Sequence, residues 1–293
     1  MIITVIGLGE VGGYYARGLI EGGAKVRGYD ICMVDPRFAE RFKKYKDAGI
    51  TLCETLEEAV VGADIVMVLT TSKAAISTAE SVKPYLKKKQ IYIEFNSAIP
   101  SVKEEVEMLL KDVVDVVDGT TMASANQLKH KTPVNFSGAR AKEVSELLNR
   151  HGMNTRYIGE KVGQAAALKV IRSIFMKGFE TVLVECMQAS YSYEIVNEIW
   201  ESILEFFDTK PMADIMTMFI TTDAIHSGRR AEEMESIADL LKGRKIENTM
   251  SVAAIKKLKW VTSLEMGKEF GKEVPGEIYP VLDRLCAKQY KSK

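Results

Sequence analysis

The residues that first suggest chemistry are three glycines close to the amino terminus. They belong to the pattern Gly-x-Gly-x-x-Gly, which is formed by Gly7-Leu8-Gly9-Glu10-Val11-Gly12. An apolar run at residues 2–6 precedes the pattern and predicts a strand, and a helical pattern begins inside it. In such a loop the first glycine permits a tight turn and the second lets a phosphate approach the backbone. The third allows the helix to pack closely on the strand.

An acidic residue follows the next predicted strand. Residues 25–29 have a strand pattern that ends at Asp30, which lies 23 residues after Gly7. A carboxylate at about this distance accepts hydrogen bonds from the ribose hydroxyls of a bound dinucleotide. The loop and the acid together predict an NAD site in which amides at the start of the helix hold the pyrophosphate. The carboxylate should repel the 2′-phosphate of NADP, but Arg37 is near enough in sequence to leave NADP open.

Small polar residues follow three further apolar strands. Thr70 and Thr71 begin the loop after one of them, Asn96 begins the loop after the next, and the loop at residues 118–124 after the third ends in Met122-Ala123-Ser124. Ligands of doubly wound sheets lie beyond the carboxyl ends of the strands, so we expect these residues to line a cofactor crevice. Taken one at a time, each of these loops is equally compatible with ordinary turn chemistry.

A lysine near the start of a long helical pattern is the candidate catalyst. The pattern begins at Gly163, and Lys169 follows a run of alanines that permits close approach to another body. An ammonium group there could donate a proton to a carbonyl oxygen and take one back in the reverse reaction, with its pKa lowered by partial burial. Ser173 and Lys177 continue the same polar stripe as candidate substrate contacts. A solvated helix face would show the same stripe, so both interpretations stay open at this point.

Two arginines later in the chain are candidate anion-binding groups. Arg229 and Arg230 could anchor an anionic part of a substrate, because a guanidinium matches carboxylate or phosphate geometry. The alternative is an exposed helix start in which Arg229 pairs with Glu233 one turn later.

The elements that must position these residues change character near residue 160. Before it, strands alternate with helices, which predicts a largely parallel, doubly wound sheet. The predicted strands are 2–6, 25–29, 51–52, 64–69, 91–95, 113–117 and 133–136, and the predicted helices are 11–21, 38–47, 56–61, 74–88, 102–110 and 141–150. After it, only helical patterns follow, at 163–190, 194–207, 212–226, 229–241 and 251–267. We therefore predict an α/β fold with a Rossmann domain at 1–160 and an all-α substrate and dimerisation domain at 161–293.

Composition limits the classes of function. The 293 residues carry 40 basic and 40 acidic side chains, which argues against a broad basic face for nucleic acid. With 46% hydrophobic residues, the chain is neither disordered nor fibrous. The four cysteines lack the spacing of metal ligands. We therefore predict reduced thiols in a cytoplasmic protein without a metal site. The first residues do not form a signal peptide, and no apolar run is long enough for a membrane span.

The chain resembles the β-hydroxyacid dehydrogenases, a family that includes 3-hydroxyisobutyrate and 6-phosphogluconate dehydrogenases. The resemblance is carried by the glycine loop with Asp30, by Asn96-Ser97, and by Gly163-Gln164-Ala165-Ala166 leading to Lys169. Residues 226–235 are similar to a subgroup that is named only by analogy with phosphogluconate dehydrogenase. The resemblance implies an NAD(P)-dependent oxidoreductase of a small, anionic hydroxy acid or related polar alcohol. It also implies that Lys169 is the general acid/base, that Asn96 contacts substrate and nicotinamide, and that the protein is a dimer or tetramer.

Two departures from the family pattern leave other functions open. Met122-Ala123-Ser124 stands where the family has Ser-Gly-Gly, and Ser173 stands where it has asparagine. Both changes alter what would hold a substrate carboxylate or hydroxyl. The alternatives are an oxidative decarboxylase of a sugar acid or phosphosugar acid, a C=N reductase built on the same plan, and a non-catalytic NAD(P)-binding sensor.

Overall fold

The computed structural model describes residues 1–271 and 273–290, and these form two compact units. The first unit is Met1–Ile174, and the second begins at Phe175, inside a long helix. The sequence placed the domain boundary at residue 160, and that boundary stays a prediction.

One eight-stranded sheet forms the centre of the first unit. Its order is β3-β2-β1-β4-β5-β6-β7-β8, and all neighbouring strands are parallel except β6 and β7. The strands are β1 (Ile2–Ile6), β2 (Lys25–Tyr29), β3 (Thr51–Leu52), β4 (Ile65–Val68), β5 (Ile91–Glu94), β6 (Asp115–Thr121), β7 (Pro133–Ser137) and β8 (Asn154–Gly159). Successive strands are added on one side of β1 up to β3 and on its other side from β4 onward. The crevice where ligands of such sheets bind lies at this reversal, between β1 and β4.

Helices cover both faces of this sheet. They are α1 (Glu10–Glu21), α2 (Ala39–Asp47), α3 (Leu56–Val60), α4 (Ala75–Val82), α5 (Pro100–Leu110), α6 (Ala125–Leu128), α7 (Ala141–Arg150) and the first turns of α8 (Gln164–Ser192). The four residues of β4 are all buried, and they alternate between two apolar cores, one on each face. A strand buried on both sides needs a continuous apolar run, and this is why its pattern was readable in the sequence.

The described part of the second unit is helical. It contains the rest of α8 and the helices α9 (Val196–Asp208), α10 (Met212–Gly243), α11 (Thr249–Thr262), α12 (Met266–Glu269) and α13 (Ile278–Tyr290). An apolar cluster of Ala224, Val261, Met266 and Val281 joins α10 to the helices that follow it. The predicted fold class, a Rossmann-like unit followed by a helical part, is confirmed.

Several predicted elements differ from the observed ones. The two helices predicted at 212–226 and 229–241 form a single helix, α10, so Arg229 does not lie at a helix start. The predicted break at residues 227–228 contains Gly228, but a glycine inside a helix costs only about 1 kcal/mol, which the packing of a 32-residue helix against α11 outweighs. The helix predicted at 74–88 ends at Val82, where a short 3-10 turn containing Pro84 follows.

The carboxyl edge of the sheet extends further than predicted. The strand expected at 113–117 runs from Asp115 to Thr121, because its second half pairs with the antiparallel β7. The edge strand β8 was not predicted, since its sequence lacks a continuous apolar run. Helix α13 was not predicted either.

The described residues contain neither a candidate membrane span nor a candidate metal site. None of their helices is long and apolar enough to cross a membrane. In the same residues no group of histidine, cysteine and carboxylate side chains could hold a metal ion. The four cysteines are free thiols.

Candidate active site

Two glycines of the amino-terminal loop are required by close packing. Gly7 has a φ of +92°, and a Cβ atom there would lie 2.5 Å from the Leu69 carbonyl oxygen. A Cβ atom on Gly12 would lie 2.0 Å from the Gly7 carbonyl oxygen. Any side chain at either position would therefore push α1 away from the ends of β1 and β4.

Gly9 has a different role, because a Cβ atom there would meet nothing within 4 Å. This residue is the N-cap of α1, so the open space lies beside the unpaired amides at the start of that helix. Glu10 is exposed in the first turn of α1, and the side chain of Leu8 is buried in the core. Val11 lines a cavity at the carboxyl edge of the sheet. The loop thus leaves room for a phosphate group at a helix N-terminus, as the sequence pattern requires.

Asp30 is oriented at the end of β2. Its Oδ1 atom accepts a hydrogen bond of 2.8 Å from the Cys32 amide, and no hydrogen bond to Oδ2 occurs among the described residues. Arg37 is the residue for which the sequence kept NADP as a possible cofactor. It forms an exposed ion pair with Asp35 at 2.6 Å. The acid is therefore available to ribose hydroxyls, while the arginine has an anionic partner on its own chain.

The polar loops after β4, β5 and β6 meet at one cavity. Its volume is about 260 Å³, and Val11 of α1 contributes to one side. Thr70, Thr71 and Asn96, all predicted from the sequence, line it together with Phe95 and Thr121. The cavity thus lies at the carboxyl edge of the sheet, next to the glycine loop.

Asn96 is held rigidly in this cavity. Its side chain is buried, and its Nδ2 atom donates to the Thr70 hydroxyl at 3.2 Å. Its backbone amide donates to Oε1 of Glu94 at 3.0 Å. These bonds fix both the backbone and the amide of the residue expected to contact substrate.

A buried ion-pair network lies behind Asn96. Lys103 of α5 is fully buried, and its Nζ atom lies 3.3 Å from Oδ1 of Asp118 and 3.7 Å from Oε1 of Glu94. The same Nζ atom donates to the Glu94 carbonyl oxygen at 2.6 Å. Burial raises the pKa of Glu94, although the Lys103 charge opposes this shift. The network ties α5 to the end of β5 and to the middle of β6.

The amino terminus of α8 is attached to this network. The Ala166 amide donates to Oδ2 of Asp118 at 2.9 Å, and the Ala165 amide donates to the Ser137 hydroxyl at 2.9 Å. A carboxylate at this end of a helix satisfies unpaired amides and interacts favourably with the helix dipole. Lys169 follows Ala166 by three residues, or ~4.5 Å along the helix axis.

Lys169 is half-buried, and three effects lower its pKa. Burial is the largest, and the positive charges of Lys103 and Arg172 add to it. Arg172 lies one turn further along α8, where its Nη2 atom donates to the Met122 carbonyl oxygen at 3.0 Å. The ammonium group therefore lies in a positive environment that favours its neutral form.

Comparison with known families agrees with this geometry. The family described as the NAD binding domain of 6-phosphogluconate dehydrogenase matches residues 2–159, more than half of the chain. The chain belongs to this family. It therefore has an NAD-binding domain, and the family is one of oxidoreductases. A second family, described only as a domain of unknown function (DUF1932), matches residues 191–261.

Individual proteins show the same relationship. An uncharacterized 28.5 kDa protein of Methanothermus fervidus is 28% identical over 213 residues, which cover 72% of this chain and 82% of that protein. A solved conserved protein of unknown function, described as similar to 3-hydroxyacid dehydrogenases, is 24% identical with a TM-score of 0.65, covering 90% of this chain and 97% of its own. A variant imine reductase from Myxococcus stipitatus, solved with NAD+, is 19% identical with a TM-score of 0.71, covering 97% and 98%. Both structural likenesses show the fold.

Other predicted substrate residues of this NAD-binding protein have structural partners. Ser124 is the N-cap of α6, its hydroxyl accepting from the Asn126 amide, and it directly precedes Ala125, which lines the cavity. The Ser173 hydroxyl donates to the Lys169 carbonyl oxygen at 2.9 Å. Met122 offers its carbonyl to Arg172, and Ala123 lies between it and Ser124.

The remaining three candidates belong to the second unit. Lys177 is an exposed residue of α8. Arg229 forms the predicted ion pair with Glu233, and Arg230 binds Asp223 at 3.2 Å. Both arginines therefore have carboxylate partners within their own helix.

The sequence assigned no role to four polar residues of the site, namely Glu94, Lys103, Asp118 and Arg172, although Asp118 begins a loop that was expected to line the cofactor crevice. Lys103 and Arg172 each look like ordinary helix surface residues in the sequence. Acids inside otherwise apolar strands were the available signal, since Glu94 and Asp118 interrupt such runs. A buried acid needs a partner, but the sequence does not say which basic residue supplies it.

Substitutions in the glycine loop test whether the loop holds NAD. Gly9→Ala should leave the thermal midpoint within about 2 °C of the wild type, because its Cβ meets no protein atom. It should weaken NADH binding at least tenfold, because the methyl group fills the space for the pyrophosphate. Gly12→Ala should instead destabilise the first unit by about 3 kcal/mol, the upper end of overpacking costs. Fluorescence titration with NADH and thermal unfolding check both; unchanged NADH affinity in Gly9→Ala would contradict the assignment.

Replacement of Lys103 tests the buried network. Lys103→Met leaves two carboxyl groups without their buried cation and should cost about 3–5 kcal/mol. The matched control is Lys111→Met, an exposed lysine just after α5. Urea unfolding is followed by circular dichroism for the whole chain and by tryptophan fluorescence for the second unit, which contains both Trp200 and Trp260. Equal stability of the two variants would show that the network contributes nothing.

Proposed function

We propose that this protein is an NAD-dependent oxidoreductase that transfers hydride to and from a small hydroxy acid or a related polar alcohol, with Lys169 as the general acid/base. The placement of Lys169 carries the proposal. It is half-buried on the helix that Asp118 fixes to the carboxyl edge of the sheet, in the same edge region as Asn96. NAD would supply the hydride acceptor or donor, and the glycine loop with Asp30 fits the pyrophosphate and ribose of that cofactor.

The residues of this chain then have distinct tasks. Asn96, whose amide is held by Thr70, orients the substrate next to the nicotinamide end of the cofactor site. In oxidation the neutral amine of Lys169 takes the hydroxyl proton, and in reduction its ammonium returns a proton to the carbonyl oxygen. A lowered pKa makes both states accessible nearer neutral pH than for an ordinary lysine.

The first test separates catalysis from cofactor binding. Lys169→Ala should lower turnover at least 100-fold, because general acid/base catalysis typically contributes 10²–10⁴-fold, while NADH affinity stays unchanged. Lys161→Ala, which removes an exposed lysine just before α8, is the matched control. Turnover is followed by NADH absorbance with a panel of 2-oxo, 3-oxo and semialdehyde acids. Full activity of Lys169→Ala would end the assignment of this residue.

The pH dependence gives a second measurement on the same lysine. Oxidation needs the neutral amine, so its rate should rise with pH through the Lys169 pKa and level off below about 10.4, the ordinary lysine value. Reduction needs the ammonium, so its rate should fall as pH rises through the same range. Profiles of kcat that run parallel in the two directions would argue against a single proton-exchanging group.

A C=N reductase is the second candidate, and the fold likeness to the Myxococcus stipitatus imine reductase favours it. Lys169 would then protonate nitrogen instead of oxygen. Reduction of a cyclic imine such as 1-pyrroline, with no turnover of the acid panel, would select this alternative. Tight NADH binding with no turnover of either class would favour a non-catalytic sensor.

We also propose that the second unit pairs with another copy of the chain. Large apolar side chains are exposed along its first helices, namely Phe175, Phe179, Trp200, Leu204, Phe206 and Phe219. Such a surface favours association, since monomers rarely expose large contiguous apolar patches. Analytical ultracentrifugation should give at least twice the mass of one chain, and Leu204→Glu should shift the protein toward monomer while Glu205→Gln does not. A monomeric wild type at micromolar concentration would contradict this.

A further inference from the structure

Arg172 is a basic residue of α8 that lies between Lys169 and the predicted substrate loop. It lies on α8 three residues after Lys169, so the two side chains are neighbours on the helix surface, with ~5–6 Å between their Cβ atoms. Its Nη2 atom donates to the Met122 carbonyl oxygen at 3.0 Å. Met122 directly follows Thr121, which lines the cavity at the carboxyl edge of the sheet. One contact therefore holds the guanidinium beside the predicted substrate loop.

The charge of Arg172 has no carboxylate partner among the described side chains. A guanidinium has five N–H donors in a fixed fork, and within the part of the chain that the structure describes Arg172 forms one hydrogen bond, to a neutral carbonyl. Arg229 and Arg230, the arginines that the sequence offered as anion-binding groups, by contrast each pair with a carboxylate. Arg172 thus retains the donors that match a carboxylate or phosphate group.

Like charges surround the position. Lys169 and Arg172 are cations one helical turn apart, and the buried Lys103 lies close enough for its charge to act on Lys169. Placing like charges together is unfavourable unless an anion joins them. The protein as a whole carries no net charge, so this positive region is local.

We propose that Arg172 binds the anionic group of the substrate while Lys169 exchanges the proton at the reacting carbon, an assignment that rests on the proposed function. The short separation of the two side chains selects a small acid whose reacting carbon lies within two or three bonds of its carboxylate or phosphate. Arg172 thus binds the substrate anion in place of Arg229 and Arg230, which the sequence suggested for this role and which both have carboxylate partners.

The experiment measures anion binding without turnover. Wild-type protein saturated with NAD+ is titrated by calorimetry with malonate, with the neutral malonamide and with inorganic phosphate. Malonate should bind saturably and malonamide should not. Arg172→Met should weaken malonate binding at least tenfold, and Arg172→Lys, which keeps the charge but loses the fork, should give an intermediate loss. Arg156→Met, an exposed arginine of β8, should match the wild type.

Each outcome decides the proposal. Tighter binding of phosphate than of malonate, with the same loss in Arg172→Met, supports it and points to a phosphorylated acid. Equal anion affinity in Arg172→Met and wild type would overturn it, and so would failure of the wild type to bind either anion. Unchanged NADH affinity in Arg172→Met shows that the first unit is folded. Because no turnover is measured, an active Lys169→Ala would refute the general acid/base role of Lys169, and a wild type that turns over no substrate would refute the proposed function. Neither result would decide whether Arg172 binds anions.

Discussion

The carboxylate of Asp118 is the group on which the arrangement of the site depends. One of its oxygens faces the ammonium of Lys103, and the other accepts the amide of Ala166 at the start of α8. A strand residue is thereby bound both to the helix behind the cavity and to the helix that carries Lys169. Without this carboxylate, the buried ammonium of Lys103 would lose the nearer of its two carboxyl partners and the Ala166 amide would lose its acceptor.

Burial of this network has an energetic consequence that the surface ion pairs of the protein lack. Desolvating an ammonium and two carboxyl groups costs several kcal/mol for each ion, and mutual attraction offsets this only in a well-defined geometry. Replacing all three charged residues together by apolar residues of similar volume would often be as stable, unlike removal of Lys103 alone, so stability does not by itself explain the network. Its geometry does explain two properties of Lys169: the direction of α8 is fixed, and the Lys103 charge helps to lower the lysine pKa.

The sequence was most informative where the physical cause is local. The glycine loop, the strands β1, β4 and β5 and the cofactor loops depend on backbone sterics and on continuous apolar runs, which are visible in a short window. Helix α10 was divided wrongly at Gly228, because a local preference of about 1 kcal/mol carries no information on packing against α11. The partners of Lys103 come from residues 9 and 15 positions away, on strands that only the folded sheet brings together. Such a network is therefore beyond the reach of spacing rules.

Placed groups, and not overall charge, must attract the cofactor and substrate of a chain with no net charge. At one end of the site, backbone amides of α1 supply the positive potential, and Gly9 leaves the space for a phosphate to reach them. At the other end, the full charges of Lys169 and Arg172 are held on α8. Partial charges bind a pyrophosphate without a competing proton equilibrium, whereas proton exchange requires a group that titrates. Backbone amides with partial positive charge at the start of α1 and side-chain cations near the start of α8 thus lie at one edge of a single sheet.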